Sequence, residues 1–139
     1  MTYESELEKF LSTTIKTMIV VLGKFDPNIF SNEVSLTPTR TIRAGEQRVP
    51  GLTFNEDIWR MDIDERESIH LEKEIDRLLA VLTPVCDKFR ATVEAMDVRV
   101  EAAFQVIVEE GTSYPSISLR HDQIENLAML GMSLDVDIM

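Results

Sequence analysis

Two short motifs carry paired carboxylates, Asp62-Ile63-Asp64 and Asp135-Val136-Asp137. In an extended chain, residues two apart point to one side, so each motif presents its two carboxylates together. Such a pair can hold Mg²⁺ or Ca²⁺ through oxygen, or face a basic partner. Alternation with the apolar Ile63 and Val136 accounts for both motifs without a metal, and no metal site is assigned. His70-Leu71-Glu72 followed by Pro84-Val85-Cys86 has the outline of the zinc-deaminase signature, H-x-E and then P-C-x-x-C. Val85 occupies the place of the first cysteine and the chain has a single cysteine, so the signature fails. A nucleophilic pair would need Cys86 beside His70 or His121. The apolar stripe around Cys86 makes it a buried structural thiol instead. The basic counterpart is a loop bearing Arg40, Arg43 and Arg48 against one acid, Glu46. Arginines on a glycine-containing loop can clamp a phosphate or carboxylate, although pairing with the protein's own abundant acid competes. Nucleophile-elbow, zinc-protease, dinucleotide and phosphate-loop motifs are all missing. No catalytic residue and no cofactor is therefore assigned.

The elements that position these groups follow from patterning. Thr13 to Leu22 is dominated by β-branched residues and reads as a central strand. Asp26 before Pro27 is a helix start, with a capping side chain and then proline at the first helical position, for a short helix to about Val34. Residues 36–55, with Pro38, Gly45, Pro50 and Gly51, read as a long irregular loop. Residues 58–64 alternate, with Trp59, Met61 and Ile63 against Arg60, Asp62 and Asp64, which predicts a half-buried strand. Trp59 is expected as a core anchor. Ile75, Leu78, Leu79 and Leu82 begin a helical stripe that continues through Val85, Cys86, Phe89 and Val93. Pro84 predicts a kink or restart near 81–83. Residues 98–108 alternate again and, with a turn at 110–115 and a short strand at 116–120, read as an antiparallel hairpin. His121 to Leu130 reads as a helix ended by Gly131, and 133–139 as a last strand. The expected fold is a single α+β domain over 1–139, in the order β-α-β-α-β-β-α-β. Its sheet is mixed and mostly antiparallel, with helices on one face, and residues 1–12 form an N-terminal extension.

This arrangement places Asp62 and Asp64, then Arg99, Glu101 and Gln105, then Asp135 and Asp137, on a sheet face left open to water. The chain carries 14 basic and 25 acidic residues, for a net charge of −11. The acid leans toward the C-terminal half, where residues 71–139 carry net −7 against −4 for residues 1–70. Such a chain repels phosphate backbones and anionic membranes and favours a basic protein partner. One cysteine makes no internal disulfide, the start has no secretory pattern, and the longest apolar run, Met18 to Leu22, falls far short of the ~20 residues a membrane helix needs. The expected location is the cytoplasm. At 139 residues and 44% hydrophobic content, the chain is long enough to bury a core of its own.

Several features in this order resemble an uncharacterised bacterial family, domain of unknown function 4279. Phe25-Asp26-Pro27 with Ile29 is similar to its strand-to-helix entry, and Thr37-Pro38-Thr39 with Gly45-Glu46 to its loop. Trp59 resembles the tryptophan of its second strand. The leucine-rich helix and the Leu130-Gly131 turn into an acidic last strand also follow its layout. The resemblance covers residues 13–139, except that the loop's usual aromatic is Ile42 or a neighbour here. It implies a small α+β domain and supplies no catalytic residue.

Two functions follow as expectations. The first is a non-enzymatic acidic protein-binding module, such as an immunity protein neutralising a basic toxin domain, with Asp62, Asp64, Glu101, Asp135 and Asp137 at the contact. The alternative is a binder of small anions, or an enzyme, using Arg40, Arg43 and Arg48. A third reading, a homodimer pairing edge strands, needs no further activity.

Overall fold

A computed structural model describes residues 13–139 except 110, 112 and 113. The expected N-terminal extension at 1–12 and part of the expected turn at 110–115 lie outside the described residues. The β-branched run forms β1 (Thr14–Gly23), with Ile15, Thr17, Ile19 and Val21 all fully buried on one side. At its end Gly23 takes φ +152°, and a Cβ there would press on Val98 Cγ1 at 3.4 Å. The Asp26 carboxylate accepts from the Asn28 N–H at 2.9 Å, so α1 (Pro27–Val34) starts where the cap and proline direct it.

The loop expected at 36–55 contains one short strand, β2 (Arg40–Ile42), and leads to β3 (Asp57–Glu67). The apolar stripe then splits as Pro84 requires. Helix α2 (Leu71–Leu82) gives way to a 3₁₀ turn (Thr83–Val85) and restarts as α3 (Cys86–Met96). β4 (Arg99–Ile107), α4 (His121–Met129) and β5 (Met132–Ile138) complete the chain. The fold is α+β, a single five-stranded sheet in the order β2-β3-β1-β4-β5. All pairings are antiparallel except β4 with β5, and the helices cover one face.

The expected order holds in outline and is corrected after β4. Residues 116–120 are not a strand of a hairpin; they make one parallel bridge, Ser116 to His70. Both edges of β4 are already taken, by β1 on one side and β5 on the other, so no edge remains for a hairpin partner.

The core lies between the sheet and the helices. Trp59 is fully buried, meets Phe30 edge-to-face at 5.1 Å, and donates its indole N–H to Ser31 Oγ at 2.9 Å, which fastens α1 to β3. Phe30 also meets Phe89 of α3 at 6.0 Å. Leu71, Ile75, Leu78 and Leu82 of α2 are fully buried against the sheet.

Candidate functional site: the open face of the sheet

Strand alternation decides which side chains reach the uncovered face. On β1 these are Lys16, Met18, Val20 and Leu22, since their neighbours fill the core. Cα partners across strands share a face. The line Asp62–Met18–Ala103–Asp135 crosses four strands, and Val20–Glu101–Ser133 runs beside it. Gln105 stands next to Asp137 in the following row. The structure thus brings Asp62, Glu101, Asp135 and Asp137 onto one open face.

Asp64 does not join them, which corrects the reading of the first carboxylate pair. The β1–β3 register shifts between Thr17 and Met18: Asp62 opposes Met18 and Asp64 opposes Thr17, leaving Ile63 as an extra residue. This bulge turns Asp64 to the helix side, opposite the buried Thr17. There Asp64 pairs with Arg66, whose guanidinium also lies 3.8 Å from Glu74 of α2. Glu65, opposite Lys16, takes the open face instead.

The two halves of the open face differ in how their charges are met. On the β3 half, Arg60 grips Asp62 with two hydrogen bonds, at 2.8 and 3.1 Å, and Lys16 approaches at 3.6 Å. Partial burial pushes the Asp62 carboxyl up, and the Arg60 hydrogen bonds with the Arg60 and Lys16 charges more than offset it, holding it below its ordinary value. Arg40 stands directly across from Arg60. On the β4–β5 half, Asp135 and Asp137 are exposed and Glu101 half-buried, and none has an ion-pair partner among the described residues. Between the halves lies a depression of about 200 Å³, floored by Met18, Val20 and Ala103, with Arg60 on one rim and Asp135 and Asp137 on the other.

β5 owes its position to α4, and α4 is held by a polar clasp that the sequence patterning did not reveal. The fully buried Gln123 accepts from the Arg120 N–H at 3.0 Å and donates to Glu72 O at 2.6 Å and to Asp76 at 2.9 Å. Arg120 bonds the same Asp76 at 2.7 Å and, with Gln123, holds that carboxyl below its ordinary value against burial. The legible signal was glutamine three residues after the helix boundary, the spacing of a capping box.

The loop arginines are not brought together. Arg43 lies 3.3 Å from Asp26 and 3.2 Å from Asp57, and Arg48 pairs with Glu46 at 3.1 Å and donates to Thr41 O at 3.0 Å. Arg40 belongs to the open face, across from Arg60. Nor do the nucleophile candidates converge. Cys86 Sγ contacts Asp87, while His70 and His121 lie against Glu72 and Glu125. Among the described residues no group of three or more His, Cys, Asp or Glu is placed to hold a metal ion, and no helix is long and apolar enough to cross a membrane. A larger groove along α1, about 510 Å³, is lined by the amides and hydroxyls of Asn28, Ser31, Asn32, Ser35 and Thr37, without a titratable group.

Fold and site together define a small α+β domain with a one-sided helix layer and a charged, uncovered sheet. Residues 13–139 match the family described as a domain of unknown function, DUF4279, and the chain belongs to that family. No curated protein and no solved structure matches it.

Proposed function

We propose that this protein is a non-enzymatic binding module, in the manner of an immunity protein, that takes a basic protein partner on the β4–β5 half of its open sheet face. The observation that carries the reading is the contrast in pairing. Asp57, Asp62 and Asp64 of β3 each meet an arginine, whereas among the described residues Asp135 and Asp137 are exposed with no ion-pair partner, and the half-buried Glu101 has none either and feels only the charge of Arg99, whose guanidinium is bonded to Glu56. Unpaired like charges on one surface repel each other and gain most when a cationic surface arrives. The net charge of −11 adds long-range attraction for such a partner.

The test is co-expression with the polypeptide encoded next to this gene in its native genome. A basic chain is expected to co-purify at low salt and to dissociate as ionic strength shortens the screening length. The triple variant Glu101→Gln, Asp135→Asn, Asp137→Asn should lose the complex while its circular dichroism stays that of the parent. Unchanged affinity in the triple variant overturns the reading.

A further inference from the structure

The sheet has two edges, and they are treated differently. β2 is three residues long and follows Pro38, so it offers almost no backbone for pairing. β5 is seven residues long and, among the described residues, pairs only with β4. The Met139 N–H donates to Val106 O at 2.9 Å, and Met139 O accepts from the Val108 N–H at 3.5 Å, so Met139 turns both main-chain groups toward β4. Alternation gives Ser133, Asp135 and Asp137 the same orientation and turns the main chain of Leu134, Val136 and Ile138 outward. At these three residues the edge therefore presents N–H and C=O groups that no described strand of the sheet uses. Its side chains sort by face: Asp135 and Asp137 lie on the open face, while Leu134 and Ile138, 38% and 45% exposed, lie with Val136 on the helix side.

A second copy of this chain is the wrong occupant for that edge. Two β5 strands paired antiparallel over their full length set Asp135 against its own counterpart. Moving the two-fold axis to Val136 sets Asp135 against Asp137 of the other copy twice over. Like charges directly opposite one another destabilise a strand pair. A strand with basic residues on the open face and apolar residues on the helix side reverses the sign of those pairs and covers Leu134 and Ile138.

We infer that the partner binds by strand addition: an extended segment of alternating basic and apolar residues pairs with the free edge of β5 and extends the sheet. This mode uses main-chain bonds for attachment and alternate side chains for selection. It rests on the acidic-surface reading above and names how that surface is engaged.

The probe is a capped, fluorescent octapeptide of alternating lysine and valine, titrated against the full chain. Two further peptides carry backbone N-methyl groups, one on the valines and one on the lysines. Methylated valines block antiparallel addition and methylated lysines block parallel addition, with charge unchanged. One of the two is expected to lose binding by roughly tenfold or more while the other binds as the parent does. The amides of Leu134, Val136 and Ile138 should gain protection from hydrogen exchange when the parent peptide is bound. The pair Asp135→Asn, Asp137→Asn should weaken the parent peptide by roughly tenfold at low salt. If both methylated peptides bind as the parent does while the aspartate variant still weakens it, the acidic surface stands and strand addition falls. If methylation matters and the aspartates do not, strand addition stands and the acidic-surface reading falls. A parent peptide that binds no better than a threonine–valine peptide overturns the partner chemistry named here.

Discussion

The two flanks of the sheet carry similar numbers of aspartates and use them in opposite ways. On the β3 flank each aspartate holds something in place. Asp57 is 7% exposed and its carboxylate accepts from the Phe25 N–H at 3.1 Å and the Ala44 N–H at 2.9 Å, with Arg43 at 3.2 Å. Asp62 closes a bidentate pair with Arg60 and Asp64 pairs with Arg66. On the β5 flank, the Asp135 and Asp137 carboxylates hold nothing among the described residues. Acid is thus not a uniform property of this surface. Asp57 fixes loop residues to β3 through their backbone N–H groups, Asp62 and Asp64 are neutralised by arginines of their own strand, and Asp135 and Asp137 are bare among the described residues.

The largest test of that contrast is Asp57→Ala set against the pair Asp135→Ala, Asp137→Ala. Removing Asp57 leaves two backbone N–H groups without their acceptor and loosens the 43–57 loop from β3. The expected loss is about 2–3 kcal/mol. The β5 pair should change stability by no more than about 0.5 kcal/mol, as surface substitutions do. Urea denaturation of both proteins decides the matter, and equal losses would erase the distinction between the flanks. Asp57 also gives a pH signature. Its carboxyl is held below its ordinary 3.8, first by the Ala44 N–H, with further help from the Phe25 N–H and Arg43 against the cost of burial. A lowered value favours the ionised native state, so this stability is present above the ordinary value and is lost as pH falls through the folded one.

Glu74 sharpens the comparison from inside the core, with the opposite sign. Its side chain is fully buried on α2 and neither carboxylate oxygen has a hydrogen-bond partner among the described residues. Arg77 and Arg66 lie at 3.6 and 3.8 Å, and Asp64 adds a repelling charge. Burial pushes the carboxyl above its ordinary 4.5, more than the two arginines pull it down. A raised value favours the protonated native state, so its stabilising contribution is present at low pH and is lost as pH rises through the folded value. Glu74→Gln is therefore expected to be more stable than the parent by about 1 kcal/mol at neutral pH, with the gap closing below about pH 4. Thermal melts at several pH values check it, and a gap independent of pH would show that folding leaves the titration of Glu74 unshifted.

Much of the frame was legible because it rests on local chemistry. The β-branched run made β1, Asp26-Pro27 made the α1 start, and Pro84 split the long helix within a residue or two of the expected point. Trp59 as a core anchor followed from its place in an alternating strand. What was missed depends on pairing between distant segments. The bulge at Ile63 leaves no mark in the sequence, because 58–64 still alternates; only register against β1 shows that Asp64 has crossed to the helix side. The hairpin after β4 looked sound locally and failed because β5, over twenty residues later, occupies that edge in parallel. Arg43 looked like part of a clamp because its partners Asp26 and Asp57 lie far from it in sequence and near it in space, while Arg48 is taken by its neighbour Glu46. Charge counting saw the acid; pairing decided which of it was bare.

The finest discrimination comes from Asp62, which sits on the same open face as Asp135 and in the same cross-strand line. Asp62→Asn removes a partly exposed ion pair, which typically contributes no more than about 1 kcal/mol, so the fold should be little changed. Its effect on binding separates two pictures of the surface. If the partner lies across the whole face, Asp62 is a contact and its loss should cost as much affinity as the loss of Asp135. If the partner sits on the β4–β5 half, as proposed, Asp62 only neutralises Arg60 and Lys16. Its removal then leaves those two cations and Arg40 facing a basic partner from across the depression. The expected result is a loss of roughly two- to threefold, smaller than that of Asp135→Asn and abolished at high salt, because the remaining effect is repulsion screened over a distance. Double variants complete the argument. Asp62→Asn combined with Arg60→Gln should bind like the parent, since the pair leaves together, whereas no second change on β3 should restore binding to Asp135→Asn.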